Sequence, residues 1–302
     1  MTARQLNLTI RRGRAMTPRI PTPYRTTTYA RPAAPLRYAR RIATDDGALL
    51  ATFVYGAEDA TLEKLLADAP VLCLHGNGGS HGTFVKVIDA LCTAGKAVIA
   101  FDSRAQGQST RGTLPLTYEL MAEDAVCVMD ALGVRQAHVV GHSDGGIEAL
   151  LLARDHADRI LSIVAGGANI TPEGVIEDPD WDIAGSAGTN RSWADFIETT
   201  TFPEEIDATL LPSAEDAALA GELLQLMLDE PHIDASSLAT ISCPACILVG
   251  EHDCITEKET HAIADAIPGA RLVVVPAVGH SLPRMAPDSV ALQVLTNVLL
   301  VR

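Results

Sequence analysis

The chain has 302 residues, 47% of them hydrophobic, and a formal net charge of −15. This length is enough to bury a large core, either as one large α/β domain or as two ordinary domains. No apolar run reaches the roughly 18 residues that a membrane helix needs, and the N-terminus lacks the apolar segment of a secretory signal. These features predict a cytoplasmic protein without membrane insertion.

The charge is distributed unevenly along the chain. Residues 1–44 hold ten arginines and no acid, which leaves 13 basic and 38 acidic residues in the remainder. We predict that residues 1–41 form a basic, flexible extension, and that the protein starts at either Met1 or Met16. The acidic body, residues 42–302, argues against a nucleic acid as substrate or partner, because phosphates are usually met by a basic surface.

Short apolar runs alternate with amphipathic stretches after residue 42. A turn within residues 42–56 predicts a leading antiparallel hairpin. Buried strands are predicted at residues 71–74, 97–101, 138–140, 160–165, 246–249 and 272–275, and helices at residues such as 117–132 and 256–267. This βαβ alternation predicts an α/β fold with a mainly parallel, doubly wound sheet.

Residues 170–238 interrupt the alternation, because they contain helical patterns but no buried strand. We predict that they form a helical cap inserted into the α/β domain. The cap holds both tryptophans of the chain, Trp181 and Trp193. Each tryptophan is expected either to line a ligand pocket or to belong to the core of the cap itself.

The segment GHSDGG, residues 141–146, places Ser143 between a predicted strand and a predicted helix. This is the context that a G-x-S-x-G nucleophile elbow requires, and Gly141 and Gly145 remove side chains that would collide across the sharp turn. The same motif also occurs as an ordinary tight turn whose serine caps the helix. Ser143 is therefore a candidate nucleophile whose role depends on its partners.

A serine hydroxyl needs a base that is itself oriented by a carboxylate. Asp253 follows one predicted strand, and His280 follows the next in a loop that contains glycine. The chain order Ser, Asp, His is that of α/β hydrolases. We therefore predict that Asp253 and His280 meet Ser143 at the carboxyl edge of the sheet.

A glycine-rich loop, HGNG at residues 75–78, follows the first buried strand. Its backbone N–H groups can point at a developing oxyanion, and the N–H of Asp144 would be the second donor. Asn77 is the favoured first donor, with Gly76 or Gly78 as alternatives. Since the chain has neither a G-x-G-x-x-G motif nor a Walker lysine, we expect no cofactor, and the chemistry calls for no metal.

These motifs resemble those of the α/β-hydrolase superfamily over residues 42–302, and most of all its bacterial members with HGNG and SDGG motifs. The segment FDSRAQGQST, residues 101–110, is similar to the D-x-R-G-x-G-x-S loop of that family. The chain departs from the family at Ala105, where glycine is usual, and at Ile147, where close relatives carry asparagine.

The resemblance implies hydrolysis by acyl transfer. Ser143 would attack an ester-like carbonyl, His280 would take and return the proton, and Asp253 would orient the imidazole. The backbone N–H groups of Asn77 and Asp144 would hold the oxyanion. We expect the partner to be a small-molecule acyl substrate, namely a small or medium carboxylic ester, a thioester or a lactone.

Two other functions stay open at this stage. One is an aminopeptidase similar to proline iminopeptidases, in which cap acids bind an α-amino group. The candidate acids are Glu177, Asp178, Asp180, Asp182, Glu204 and Glu205. The other is a non-catalytic ligand-binding α/β hydrolase. Cys254, next to Asp253, is interpreted as an oxidation-sensitive neighbour rather than as a catalytic group, and the sequence does not indicate the oligomeric state.

Overall fold

The computed structural model describes residues 19–21, 31–176 and 182–301. The strands within these residues form one eight-stranded sheet. The strands are β1 (Leu36–Ala43), β2 (Leu49–Tyr55), β3 (Val71–Leu74), β4 (Val98–Phe101), β5 (Ala137–His142), β6 (Ile160–Gly166), β7 (Ala245–His252) and β8 (Arg271–Gly279). Their spatial order is β1-β2-β4-β3-β5-β6-β7-β8. Only the β1–β2 and β2–β4 pairs are antiparallel among the pairs of this sheet. The predicted α/β fold with a mainly parallel sheet is confirmed.

Helices connect the strands and cover the sheet. They are α1 (Leu62–Ala67), α2 (Val85–Thr93), α3 (Tyr118–Ala131), α4 (Asp144–Asp155), α5 (Ile183–Thr199), α6 (Ala214–Asp229), α7 (Glu257–Ala266), α8 (Leu282–Met285) and α9 (Pro287–Leu300). None of the helices in the described part of the chain combines the length and the apolar character that crossing a bilayer requires.

Strand β3 shows why the buried strands lack a polar face. Leu72 and Leu74 belong to the hydrophobic cluster that α3, α4 and α7 join, whereas Val71 and Cys73 belong to the cluster on the opposite face with α2 and α9. Successive side chains of a strand point to opposite faces, so a strand covered on both faces is apolar at every position.

The leading hairpin begins six residues earlier than its predicted start at residue 42. Leu36 already pairs with Tyr55, so the end of the predicted basic extension is part of the sheet. The strand was hidden in the sequence because Arg40 and Arg41 are exposed on it, and charges on an edge strand interrupt the apolar pattern. The prediction for residues 1–18 and 22–30 lies outside the described residues.

Helices α5 and α6 lie between β6 and β7, within the segment predicted as a cap. Trp193 is buried in the contact between them, packs with Ala194 and Ala217, and donates a hydrogen bond from Nε1 to the carbonyl oxygen of Pro212. Trp193 therefore belongs to the core of the cap rather than to a pocket wall. The alternative role for Trp181 concerns a residue outside the described part of the chain.

Candidate active site

Ser143 occupies a strained turn between the last residue of β5 and the first residue of α4. Its backbone has φ 57° and ψ −120°, a conformation that costs energy for a residue with a side chain. A Cβ atom at Gly141 would collide with the carbonyl group of Gly145, and one at Gly145 would collide with that of Leu74. The Ser143 hydroxyl makes no capping hydrogen bond to α4, so the alternative of a simple helix cap does not describe this serine.

The structure brings the three residues of the predicted triad into one chain of hydrogen bonds. His280 Nε2 lies 3.0 Å from Ser143 Oγ, and His280 Nδ1 lies 2.6 Å from Asp253 Oδ1. Each of the three immediately follows the last residue of a parallel strand, β5, β7 or β8. They meet because the carboxyl ends of parallel strands share one edge of the sheet.

The pair of His280 and Asp253 is arranged electrostatically to hold a proton on the imidazole. Burial lowers the pKa of His280, but the hydrogen bonds to Asp253 and Cys254, together with the charge of the Asp253 carboxylate, outweigh burial and raise it. Burial raises the pKa of Asp253. The hydrogen bonds from His280 and from the N–H of Ile255 outweigh burial and bring this pKa below its ordinary value. Asp253 is therefore suited to stabilise an imidazolium.

Gly167 packs against the imidazole of His280 from the loop after β6. A Cβ atom at this position would lie 2.9 Å from Cε1 of His280, and the backbone of Gly167 has φ +58°. Both observations require glycine here. Sequence reasoning missed Gly167, although two consecutive glycines at the end of a predicted strand were a signal of close backbone approach.

The HGNG loop lies against the nucleophile, as a Cβ atom at Gly76 would be 2.7 Å from Cβ of Ser143. The side chain of Asn77 donates from Nδ2 to Asp144 Oδ2 at 2.9 Å, and the hydroxyl of Tyr118 donates to Asp144 Oδ1 at 3.2 Å. Burial raises the pKa of Asp144 to about 6, although both of these hydrogen bonds lower it. The two residues predicted as oxyanion donors are thus joined through their side chains.

Two further histidines near the site form hydrogen bonds with backbone groups. His142 Nε2 donates to the carbonyl oxygen of His280 at 2.6 Å, and burial lowers the pKa of His142 to about 3. His75 Nε2 accepts a hydrogen bond from the N–H of Ser103 at 2.9 Å. Both imidazoles are therefore neutral packing and positioning groups.

A cavity opens above Ser143, between the sheet edge and the cap. It is lined by Tyr118, Ser143, Asp144, Asn169, Val175, Met227, Glu230, Cys254, Ile255 and His280. Tyr118, Asn169, Met227 and Glu230 were not predicted, because no local motif marks a residue that reaches the site from a distant helix or loop. Among the described residues, the lining includes no lysine or arginine.

The cap acids considered for amine binding lie either outside the cavity lining or outside the described residues. Asp182 is exposed and caps α5 by accepting from the N–H of Gly185, and Glu204 and Glu205 are exposed outside the cavity lining. Glu177, Asp178 and Asp180 lie outside the described residues. Among the acids in the described part of the cap, Glu230 is the one that lines the cavity.

Known proteins share this arrangement of sheet and helices. A family model for the alpha/beta hydrolase fold matches residues 69–194. The solved structure of a hydrolase from Pseudomonas aeruginosa PA01 superposes with a TM-score of 0.64 and 25% identity, covering 86% of this chain and 98% of that chain. The chain has the α/β-hydrolase fold. The resemblance drawn from the sequence motifs is confirmed.

Two relatives of this α/β hydrolase are similar to it over most of their length. The rhodomycin D methylesterase DauP of Streptomyces sp. (strain C5) is 28% identical, covering 74% of this chain and 89% of its own. The putative carbamate hydrolase RutD of Caulobacter sp. (strain K31) is 29% identical, covering 72% and 86%. A methylesterase and a putative carbamate hydrolase are thus among the proteins that this chain resembles.

Proposed function

We propose that this α/β hydrolase cleaves a small or medium carboxylic ester, thioester or lactone through an acyl-enzyme on Ser143. The observation that carries the proposal is the chain of hydrogen bonds from Ser143 Oγ to His280 Nε2 at 3.0 Å and from His280 Nδ1 to Asp253 Oδ1 at 2.6 Å. A nucleophile, a base and an orienting carboxylate in this order are the parts that acyl transfer requires.

The proposed reaction has two halves. His280 Nε2 takes the proton of Ser143 as the oxygen attacks the carbonyl carbon, and returns it to the leaving alcohol or thiol. Water then attacks the acyl-enzyme and gives its proton to the same nitrogen, and His280 returns that proton to Ser143 Oγ as the acid leaves. Asp253 stabilises the imidazolium, and the backbone N–H groups of Asn77 and Asp144 hold the oxyanion in both halves.

Part of the cavity lining is apolar. Val175, Met227 and Ile255 supply apolar wall on the cap side and beside Cys254. Such a lining suits the short apolar part of an acyl group.

One observation favours a second candidate, an aminopeptidase. The carboxylates of Asp144 and Glu230 both line the cavity, and neither is matched by a lysine or arginine among the described lining residues. A carboxylate near the scissile bond is the group that would bind the α-ammonium of a peptide substrate. Amino-acid anilides therefore belong in the first substrate panel.

The proposal is tested by hydrolysis of a panel of chromogenic esters, thioesters, lactones and amino-acid anilides. Ser143→Ala should lower turnover of every accepted substrate by on the order of a million-fold. Ser236→Ala, at an exposed serine outside the cavity lining, is the matched control and should retain the wild-type rate. A folded Ser143→Ala protein that keeps more than a few per cent of the turnover would place the nucleophile elsewhere.

A further inference from the structure

Three different metal-ligating side chains meet beside the cavity, which Cys254 and His280 line. Asp253 offers a carboxylate oxygen, Cys254 a sulfur and His280 a ring nitrogen, and these atoms all lie within 4.8 Å of one another. We propose that these three side chains form a binding site for a thiophilic divalent cation, with Zn²⁺ as the natural ligand, and that the bound cation inhibits hydrolysis.

The donor set fits zinc in chemistry and in spacing. Thiolate, imidazole and carboxylate are its usual protein ligands, at about 2.0 to 2.3 Å from the metal, which puts ligand atoms of a tetrahedral site about 3.5 Å apart. All three ligand atoms lie within 4.8 Å of one another. Side-chain rotations must bring them to this spacing, and must separate His280 Nδ1 from Asp253 Oδ1, which lie 2.6 Å apart. Three protein ligands leave the fourth position for water.

The backbone holds Cys254 in place beside the other two donors. Its carbonyl oxygen accepts a hydrogen bond from the N–H of Ile176 at 2.7 Å, and the next residue, Ile255, forms a β-bridge with Val175. Cys254 lines the cavity together with His280, whose side chain is 24% exposed. A cation in the cavity can therefore reach Cys254 and His280, and Asp253, whose side chain is 1% exposed, is hydrogen-bonded to that His280.

The electrostatic surroundings favour a cation. The carboxylates of Asp144 and Glu230 line the same cavity, and the described lining residues include no lysine or arginine. The whole chain carries a formal net charge of −15. A cleft with charges of one sign concentrates ions of the opposite sign.

Inhibition follows from the identity of the ligands. His280 and Asp253 are the base and the orienting carboxylate of the proposed mechanism, and a metal that occupies them withdraws both from proton transfer. Binding of the cation requires only the three side chains, whereas the inhibitory effect rests on the proposed function. The two parts are therefore measured separately.

Binding is measured with Cd²⁺, whose bond to a thiolate gives an ultraviolet charge-transfer band. The full-length protein should show this band at one equivalent, and Cys254→Ser and Cys254→Ala should both lose it. Cys243→Ser is the matched control, because Cys243 is partly buried outside the cavity lining, and it should keep the band. Ser143→Ala should keep it too, since that variant retains all three ligands. An unchanged band in both folded Cys254 variants would overturn the site.

Inhibition is measured with Zn²⁺ on hydrolysis of a chromogenic ester, each variant being compared with its own metal-free rate. Wild-type protein should lose activity reversibly and recover it with a chelator, whereas Mg²⁺ should have no effect. Half-maximal inhibition of Cys254→Ser should require at least roughly ten-fold more Zn²⁺ than that of wild type. Changes in the surroundings of a bound metal lower its affinity on this scale. Equal inhibition of wild type and Cys254→Ser would overturn the inhibitory site. If no ester is hydrolysed, the proposed function fails, and the Cd²⁺ band still decides the metal site.

Discussion

The side chain of Asn77 donates a hydrogen bond to the carboxylate of Asp144, with 2.9 Å between Nδ2 and Oδ2. The same nitrogen donates to the carbonyl oxygen of Leu223 in α6 at 3.0 Å. One amide therefore joins the HGNG loop, the residue after the nucleophile and the cap. The position of the cap is thereby coupled to the loop that would hold the oxyanion.

The buried carboxylate of Asp144 should make stability depend on pH. Burial raises the pKa of Asp144 from 3.8 to about 6, so the folded state binds a proton more tightly than the unfolded state between these values. Its contribution to stability is complete below pH 3.8 and is lost as the pH rises through about 6. Relative to Asp144→Asn, wild-type protein should lose up to about 3 kcal/mol of unfolding free energy between pH 4 and pH 7.

Urea denaturation of both proteins at several pH values checks this. The difference between their unfolding free energies should change in this window and be level above it. A difference that stays constant from pH 4 to pH 7 would mean that Asp144 does not carry a raised pKa in the folded protein.

Gly167→Ala should damage turnover by displacing the imidazole of His280. The added Cβ would lie 2.9 Å from Cε1 of His280, and a misplacement of about 1 Å at an active site costs on the order of 100-fold in rate. Gly269→Ala is the matched control, because Gly269 has φ +72° and a Cβ there would have no heavy atom within 4 Å. Both variants should lose about 1 kcal/mol of stability from the left-handed backbone.

Steady-state kinetics and thermal melts of the two glycine variants separate these effects. Only Gly167→Ala should have a lowered kcat, while the melting temperatures of the two fall together. Equal kcat values in the two variants would show that the close approach of Gly167 does not position His280.

The pH dependence of hydrolysis should report the pair of His280 and Asp253. The base must be neutral, and Asp253, together with Cys254, raises the pKa of His280 above the ordinary value of 6.5 against the effect of burial. The value of kcat/KM should therefore rise with pH, and the midpoint of this limb should lie above pH 6.5. Asp253→Asn should lower the overall rate and move this limb to lower pH, because it removes the charge that favours imidazolium. If the limb lies at the same pH in Asp253→Asn, Asp253 does not influence the pKa of the titrating group.

Trp193 should stabilise the cap without contacting substrate. Trp193→Ala removes a buried side chain between α5 and α6 and should lower the unfolding free energy by about 3 to 5 kcal/mol, with a uniform loss of activity across substrates.

Met227 should contact substrate instead. Met227→Ala changes the cavity lining and should reorder the preference among ester chain lengths with little change in melting temperature. Rates on a series of acyl chain lengths, measured beside thermal melts, check both; a reordered preference in Trp193→Ala would place that side chain in contact with substrate.

The fold and the triad geometry could be predicted because they depend on local patterns. Apolar runs marked the strands from β3 to β8, and Ser143, Asp253 and His280 come directly after the ends of β5, β7 and β8. The start of β1 could not be predicted, because its exposed arginines hide the apolar alternation. The contact of Gly167 with His280 depends on how two loops pack, which no local pattern contains.

The cavity wall was hidden for a similar reason. Tyr118 begins α3, and Glu230 follows α6, so their common position above Ser143 results from tertiary packing. Trp193 was ambiguous in the sequence, since a tryptophan serves equally well as a pocket wall or as core. The packing partners of its ring in the cap decided between the two.

The measurement that tests the central claim most directly is covalent labelling with a fluorophosphonate, followed by mass spectrometry of the digested protein. Wild-type protein and Ser236→Ala should carry one adduct, on the peptide that contains Ser143, and His280→Ala should label far more slowly because it lacks the base. Ser143→Ala should carry none. An adduct on a different residue, or equal labelling of folded Ser143→Ala, would contradict the assignment of Ser143 as the nucleophile.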